Sequence, residues 1–241
     1  MPFSPSPGVN EQASNANFEF DALNEAVNYR RTLTREFSPF LKGKVLEVGA
    51  GIGQMTREFR ALPDVTSMAG LEPDPRFHAQ FAQNNPDVEL YHSISSELPD
   101  NLGLDAIVSI NVLEHIEQDQ AELSSWFRLL RKRHGHACLF VPARPEIYAP
   151  IDKDFGHFRR YTKPELQLKL TNAGFKVERL VYFNLIGYFA WWFNFTVLQK
   201  RIFEAGAVRT FDRMIFPAGH WMEESLMRPP IGQSLLAVAK A

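Results

Sequence analysis

The sequence predicts an α/β protein with a mostly parallel sheet and helices on both faces. Three observations predict it. Short apolar runs at 45–48, 65–71 and 104–110 alternate with stretches whose apolar residues recur at helical spacing. The first run ends in three glycines at alternate positions, Gly49, Gly51 and Gly53, directly before a helical pattern. The second ends in an acid, Glu72. Strand, glycine turn and helix let a backbone approach a nucleotide-like ligand closely. An acid at the next strand end can accept hydrogen bonds from both hydroxyls of a ribose.

Each element follows from local chemistry. Residues 1–17 are rich in Pro, Ser and Asn and read as a disordered tail, which leaves 18–241 as one domain. Over 21–37, Leu23, Ala26, Val27, Leu33 and Phe37 mark one helical face, and Tyr29 lies within it. Strand one is 45–48, and the helix after the glycines puts Met55, Phe59 and Leu62 on one side. Strand two is 65–71. Asp74 then caps a helix holding Phe77 and Phe81 inward. Strands three and four are 88–91 and 104–110. A helix with Leu123, Trp126, Phe127 and Leu130 inward runs to about Arg133, and Gly135 breaks it before strand five, 136–141. Thr162-Lys-Pro-Glu165 is a capping box that starts a helix bearing Leu166, Leu170 and Ala173, and Gly174 ends it. Strand six is 175–183 and the closing strand 234–239. Between them lies a long insertion, 184–231, rich in aromatics and prolines. Ligands of such sheets bind beyond the carboxyl ends of the strands. Residues 49–53, Glu72, 111–115 and 142–161 therefore converge on one crevice.

Composition narrows the function. The 241 residues are 45% hydrophobic with a formal net charge of −2, which suits one globular domain. The densest basic cluster, Arg128 to Arg133, ends a predicted helix, where cations favour the dipole. No basic stripe interleaved with aromatics is present, which weighs against nucleic acid as a partner. The single cysteine, Cys138, falls in a predicted buried strand and cannot form an internal disulfide, so a cytoplasmic location is expected. No signal peptide is evident at the N-terminus. Residues 180–198 carry no formal charge, but their first part is strand, so they do not read as a membrane span. A helix that packs over the active site, or one that makes peripheral contact with a membrane surface, is the expectation.

The turn discriminates among nucleotide binders. Gln54 stands where the dinucleotide fingerprint has its third glycine, which disfavours an NAD-dependent oxidoreductase. Glu47, inside the strand, would oppose a pyrophosphate but suits a ligand carrying positive charge. Glu47-Val-Gly-Ala-Gly-Ile-Gly53 and Leu71-Glu-Pro-Asp-Pro75 resemble the first motif and the ribose-binding acid of the class I S-adenosyl-L-methionine-dependent methyltransferases. That resemblance implies a Rossmann-like, seven-stranded sheet whose last strand is antiparallel and inserts between strands five and six. It implies S-adenosyl-L-methionine as cofactor, held by Glu47, Gly49, Ala50, Gly51, Gly53, Gln54, Met55, Glu72, Pro73, Asn111 and Val112. Many relatives place an adenine-binding acid after strand three. Here Ser93 or Ile94 occupies that place, and a hydroxyl or backbone groups serve instead.

Two places offer acceptor chemistry. Asn111-Val-Leu-Glu-His-Ile116 resembles the motif after strand four in ubiquinone-biosynthesis O-methyltransferases and small-RNA methyltransferases, where Glu-x-x-Glu-His holds a cation. Asn111 replaces the first glutamate, and one carboxylate supports a hard cation poorly, so no metal is expected. His115 reads as a base, as a wall of the pocket, or as a packed helix-start residue. The second place, Asp152-Lys-Asp-Phe-Gly-His-Phe-Arg-Arg-Tyr161, packs acids, a histidine, arginines and aromatics into one loop. His157 is the first candidate for general base. Arg159 and Arg160 either bind an anionic acceptor or form salt bridges with Asp152, Asp154 or surface acids. Tyr161 donates a hydrogen bond or packs above the capping box. Tyr29 and Trp191 are candidates to touch an acceptor, and core packing explains both equally well.

From Gly156 through Trp191-Trp192 to Ser234-Leu-Leu-Ala-Val238 the chain resembles a bacterial subgroup found beside glycosyltransferases and other enzymes of surface-polysaccharide and lipid modification. The expected activity is O- or N-methylation of a small-molecule acceptor that is anionic, aromatic, or lipid- or sugar-linked. A non-catalytic partner module with the same fold is the main alternative.

Overall fold

The computed structural model describes residues 24–201, 204–225 and 229–241. Helix α1 (Val27–Phe37) leads into β1 (Gly43–Val48), α2 (Gln54–Arg60), β2 (Val65–Leu71), α3 (Pro75–Asn84) and β3 (Glu89–Tyr91). Then come β4 (Ala106–Ile110), α4 (Asp119–Leu130), β5 (His136–Pro142), the short α5 (Pro150–Asp154), α6 (Lys163–Ala173) and β6 (Lys176–Phe183). Helices α7 (Leu185–Trp191), α8 (Ala205–Thr210) and α9 (Phe216–Ser225) precede the closing strand β7 (Ser234–Lys240). Wider π-type turns continue α7 over Trp192–Val197 and join α8 to α9 over Phe211–Ile215.

The described strands form one seven-stranded sheet in the order β3-β2-β1-β4-β5-β7-β6. β7 runs antiparallel to both its neighbours, and the other strand pairs are parallel. The antiparallel last strand thus sits where the resemblance places it. The inner strands are apolar on both faces because each face carries a helical layer. One core joins Leu46, Ile107 and Leu139 to Trp126 of α4 and Leu170 of α6. The other joins Val45, Val108 and Phe140 to Phe37 of α1, Phe59 of α2 and Phe216 of α9. The expected Thr162 capping box forms, and Gly174 closes α6 with φ +107°. Cys138 is buried in β5, where burial raises its thiol pKa.

Some boundaries differ from the sequence reading. The expected disordered tail, 1–17, lies outside the described residues. Ala26 interrupts the first helix, which runs regularly from Val27. The helix expected to reach Arg133 ends at Leu130, and Arg131–Arg133 form a tighter 3-10 turn. Phe81 points inward as expected, whereas Phe77, also expected inward, is only half-buried because it faces the cavity at the ends of the strands.

Two carboxylates of the insertion sit at helix starts, one at α1 and one at α7 within the insertion itself. Ala26 has no side chain to cap α1. Asp212 does so instead: its two carboxylate oxygens accept the Asn28 and Tyr29 N–H groups, each at 2.9 Å. Glu223 accepts the N–H groups of Asn184 and Leu185 at 3.1 and 2.6 Å, at the start of α7. Both satisfy donors that a helix leaves unpaired and place negative charge at its positive end. Both acids are buried, so losing one strands N–H groups away from water. Asp212→Ala is expected to cost about 1–2 kcal/mol of unfolding free energy in a urea titration. A change within error of zero would show that the insertion does not hold α1.

Candidate functional site

The strand ends surround a cavity of about 980 Å³. Its floor is the turn after β1. Gly49, Gly51 and Gly53 all have left-handed backbone, with φ of +72°, +53° and +77°. A Cβ on Gly49 would lie 2.3 Å from a Val112 methyl, and one on Gly53 would lie 2.0 Å from the Asn85 amide nitrogen. Side chains are therefore excluded by both conformation and space. The turn is stitched to β2 by the Gly49 and Ala50 N–H groups, which donate to Leu71 O at 2.9 and 3.1 Å.

Glu72 completes this floor. One carboxylate oxygen accepts the Gly51 N–H at 2.8 Å and the other the Asp74 N–H at 2.9 Å. Each oxygen has a second lone pair with which to accept a hydroxyl. Burial raises the Glu72 pKa, and the two backbone bonds oppose that rise. Glu47 is also buried and accepts a hydrogen bond from Thr56 Oγ1. Burial pushes its carboxyl up to about 8, with the Thr56 bond opposing and the Glu72 charge adding.

Of the residues expected to hold a cofactor, Glu47, Gly49, Ala50, Gln54, Met55, Glu72, Pro73, Ser93, Ile94, Asn111 and Val112 line the cavity. Gly51 and Gly53 shape the turn without lining it. Near Ser93 and Ile94, sequence reasoning missed a cluster: Ser95 Oγ donates to Glu122, and Trp126 Nε1 donates to Glu122 at 2.7 Å. Ser95 and Glu122 also line the cavity. No local spacing ties Ser95 to Glu122, 27 positions later.

The opposite wall is built on Asp152, which is fully buried. It accepts hydrogen bonds from Ala149 N at 2.8 Å and Arg160 Nε at 2.9 Å, and lies 3.0 Å from His157 Nδ1. A carboxylate only accepts, so Nδ1 carries the hydrogen of the neutral ring and Nε2 the lone pair. Nε2 lies 4.0 Å from Glu114 Oε1. The His115 ring stands edge-on to His157 with centroids 4.7 Å apart. Burial and then the His157 charge depress His115 to about 3. It lines the cavity beside His157.

The loop sorts its polar residues by alternation. Tyr161 pairs with Ala143 in a short parallel bridge, and extended residues point to opposite sides in turn. Arg160 faces the cavity, held by Asp152, with its guanidinium 4.3 Å from the centre of the Trp191 ring. Arg159 and Tyr161 face away. Arg159 pairs with Asp119 at 2.7 Å, and the Tyr161 hydroxyl lies 2.9 Å from Asp119 and 3.1 Å from Leu113 O. Neither lines the cavity, which corrects the expectation that Arg159 binds an acceptor and Tyr161 takes part in the chemistry. Tyr29 and Trp191 do line it. Tyr29 packs against Phe140, Phe183 and Phe216, and Trp191 Nε1 donates to Ile147 O at 3.1 Å.

Two groups of described residues have the geometry to hold a metal. Glu114, His115 and His157 bring one ligand atom each within 4.8 Å of one another. Two imidazoles and one carboxylate suit a transition metal better than magnesium. The other group, Glu36, His220 and Glu224, is threaded by Arg35 and Arg179, whose cations compensate its acids.

Comparison with known proteins fits this geometry. A family model described as a methyltransferase domain matches residues 24–180. A Mycolicibacterium smegmatis protein, named a probable S-adenosylmethionine-dependent methyltransferase, is 30% identical over 142 residues. The match covers 56% of this chain and 52% of that protein, so the chain spans about half the length of this curated relative. Two solved structures share the fold. One is the Haloferax volcanii complex of the Trm112 methyltransferase activator with a protein described as a methyltransferase (TM-score 0.63, 16% identity, 99% of both chains). The other is an S-adenosylmethionine-dependent methyltransferase from Mesorhizobium loti (TM-score 0.59, 18% identity, 86% of this chain and 95% of that one). The glycine turn, the acid at the end of β2, the sheet order and the family match together place this chain in the class I S-adenosylmethionine-dependent methyltransferase family.

Proposed function

We propose that this chain transfers the methyl group of S-adenosyl-L-methionine to a hydroxyl or amine of a small-molecule acceptor held in the same cavity. The observation that carries the reading is the pairing of two walls: Glu72 and the glycine turn on one side, His157 on Asp152 on the other. The cofactor residues fit an adenosine with a cationic tail and no phosphate. Glu72 accepts hydroxyls, the glycine turn brings backbone to the cavity floor, and two buried acids favour positive charge. When bound, the cofactor supplies an electrophilic methyl on a sulfonium.

The protein's own contribution is placement, exclusion of water, and removal of one proton. Placement alone supplies roughly 7–11 kcal/mol in the best oriented systems. His157 Nε2 takes the acceptor proton while Asp152 holds Nδ1–H and stabilises the imidazolium that forms. Arg160 is committed to Asp152 and the Ala143 carbonyl, so it sets the loop in place instead of capturing a free anion. The aromatic wall of Tyr29, Trp191 and Phe195 favours an acceptor with an apolar or ring-bearing part. A lipid- or sugar-linked acceptor meets that description.

Two outcomes test this. Glu47 sits near 8 without ligand, so at neutral pH its carboxyl is mostly protonated. A cationic ligand favours the carboxylate, so binding expels a proton. Cofactor affinity should therefore rise as pH rises from about 6 toward 8, and titration calorimetry in buffers of different ionisation enthalpy should report proton release. Glu47→Gln should flatten that pH dependence. An unchanged slope in this variant would remove Glu47 from the cofactor site. Second, labelled methyl from the cofactor, incubated with cell extract, should enter an organic-extractable small-molecule fraction. His157→Ala should bind the cofactor like the parent but turn over about 10²–10⁴-fold more slowly. Label recovered in RNA or protein would contradict the small-molecule reading.

A further inference from the structure

We infer that the outer face of α7 and its π-type continuation is a seat for an anionic lipid bilayer surface, and that it delivers an amphipathic acceptor to the cavity behind it. The helical run 185–197 has two opposed stripes. Gly187, Ala190, Trp191, Asn194 and Phe195 line the cavity. Phe189, Trp192, Phe193 and Val197, with Phe189 three and four positions before the adjacent Trp192 and Phe193 and Val197 four after Phe193, are 44–52% exposed. Singly exposed apolar residues need no explanation, but four on one stripe, with Leu198 next to them at 49%, form a patch that does.

Charge and composition indicate what covers it. Residues 185–198 contain no charged side chain, and Lys200-Arg201 follows after Gln199. The next run repeats the pattern, with exposed Met214 and Ile215 beside exposed Arg213, and exposed Trp221 one helical repeat further on. Across 185–215 there are four basic residues, Lys200, Arg201, Arg209 and Arg213, against two acids. One of those acids, Asp212, is buried as the cap of α1. Arg201 also pairs with Asp154 and Arg209 with Glu25. Aromatic side chains backed by cations match the headgroup region of an anionic membrane, where the rings sit at the boundary and the cations meet phosphate. No described helix is long and apolar enough to cross a membrane, so the run lies along the surface. The seat and the cavity are two sides of one helix. An acceptor with an apolar chain therefore leaves the bilayer within one helix diameter of the catalytic wall, and Lys200, which also lines the cavity, stands at the junction.

The test is co-sedimentation of the full chain with vesicles of phosphatidylcholine, alone or mixed with phosphatidylglycerol, without cofactor or acceptor. Binding read this way does not depend on the methyltransferase reading. The parent should sediment with the anionic vesicles. Combined Trp192→Ser and Phe193→Ser should lower partitioning about tenfold or more. Lys200→Glu and Arg213→Glu should each remove about fivefold, on anionic vesicles only. Leu168→Ser, at an exposed apolar site on α6, should change nothing. Calorimetric cofactor binding by the serine variant should match the parent and so show it folded. Failure of the parent to sediment, or equal sedimentation of parent and serine variant, would overturn the proposal. A dimer in light scattering that the serine variant abolishes, without vesicle binding, would overturn it in favour of a second copy of the chain.

Discussion

The site rests on one interaction, the acceptance of the Gly51 N–H by the Glu72 carboxylate. It joins the turn after β1 to the end of β2. The strand pairing beneath it already sets these two ends side by side, with Val48 opposite Leu71. A carboxylate receiving two backbone N–H groups keeps a fixed orientation even when buried, and charged acceptors make the stronger bonds. Everything nearby depends on that orientation. Gly51 must be left-handed to aim its N–H, Gly49 must lack a Cβ to let Val112 close in, and Gly53 must lack one to admit Asn85.

The opposite wall follows the same logic with a different hub. Asp152 gathers a backbone N–H, a guanidinium and an imidazole, and all three partners come from the sequence-local stretch 149–160. A buried carboxylate without such partners would carry a large desolvation cost. With them, it sets which imidazole nitrogen of His157 bears the proton. Two further buried acids of the insertion each hold a helix start: Asp212 anchors it to α1, and Glu223 fixes α7 within it. Four buried carboxylates, Glu72, Asp152, Asp212 and Glu223, thus each fix a piece of backbone around the cavity.

Much of this was legible in the sequence, and the reason is locality. The run 65–71, the glycine turn, the Thr162–Glu165 box and the closing strand are written in neighbouring residues, whose spacing carries the period of the element. Glu72 was legible because it sits at a strand end, where topology puts ligands. The errors lie where contacts cross the chain. In the sequence Arg159 and Tyr161 share one polar loop with His157 and Arg160, and spacing alone does not separate them. Extended backbone sends alternate residues to opposite sides, and Asp119, 42 positions before Tyr161, claims the two that face away. The capping of α1 by Asp212 spans 184 positions and has no local signature.

The most direct measurement is calorimetric titration of the purified protein with S-adenosyl-L-methionine and with its demethylated product, for the parent and for Glu72→Ala. The parent should bind both ligands with micromolar affinity. The variant should bind about 10–100-fold more weakly, the loss expected for hydrogen bonds to a charged acceptor. Equal affinity of parent and variant, or binding of a nicotinamide dinucleotide in place of both ligands, would contradict the assignment of this crevice.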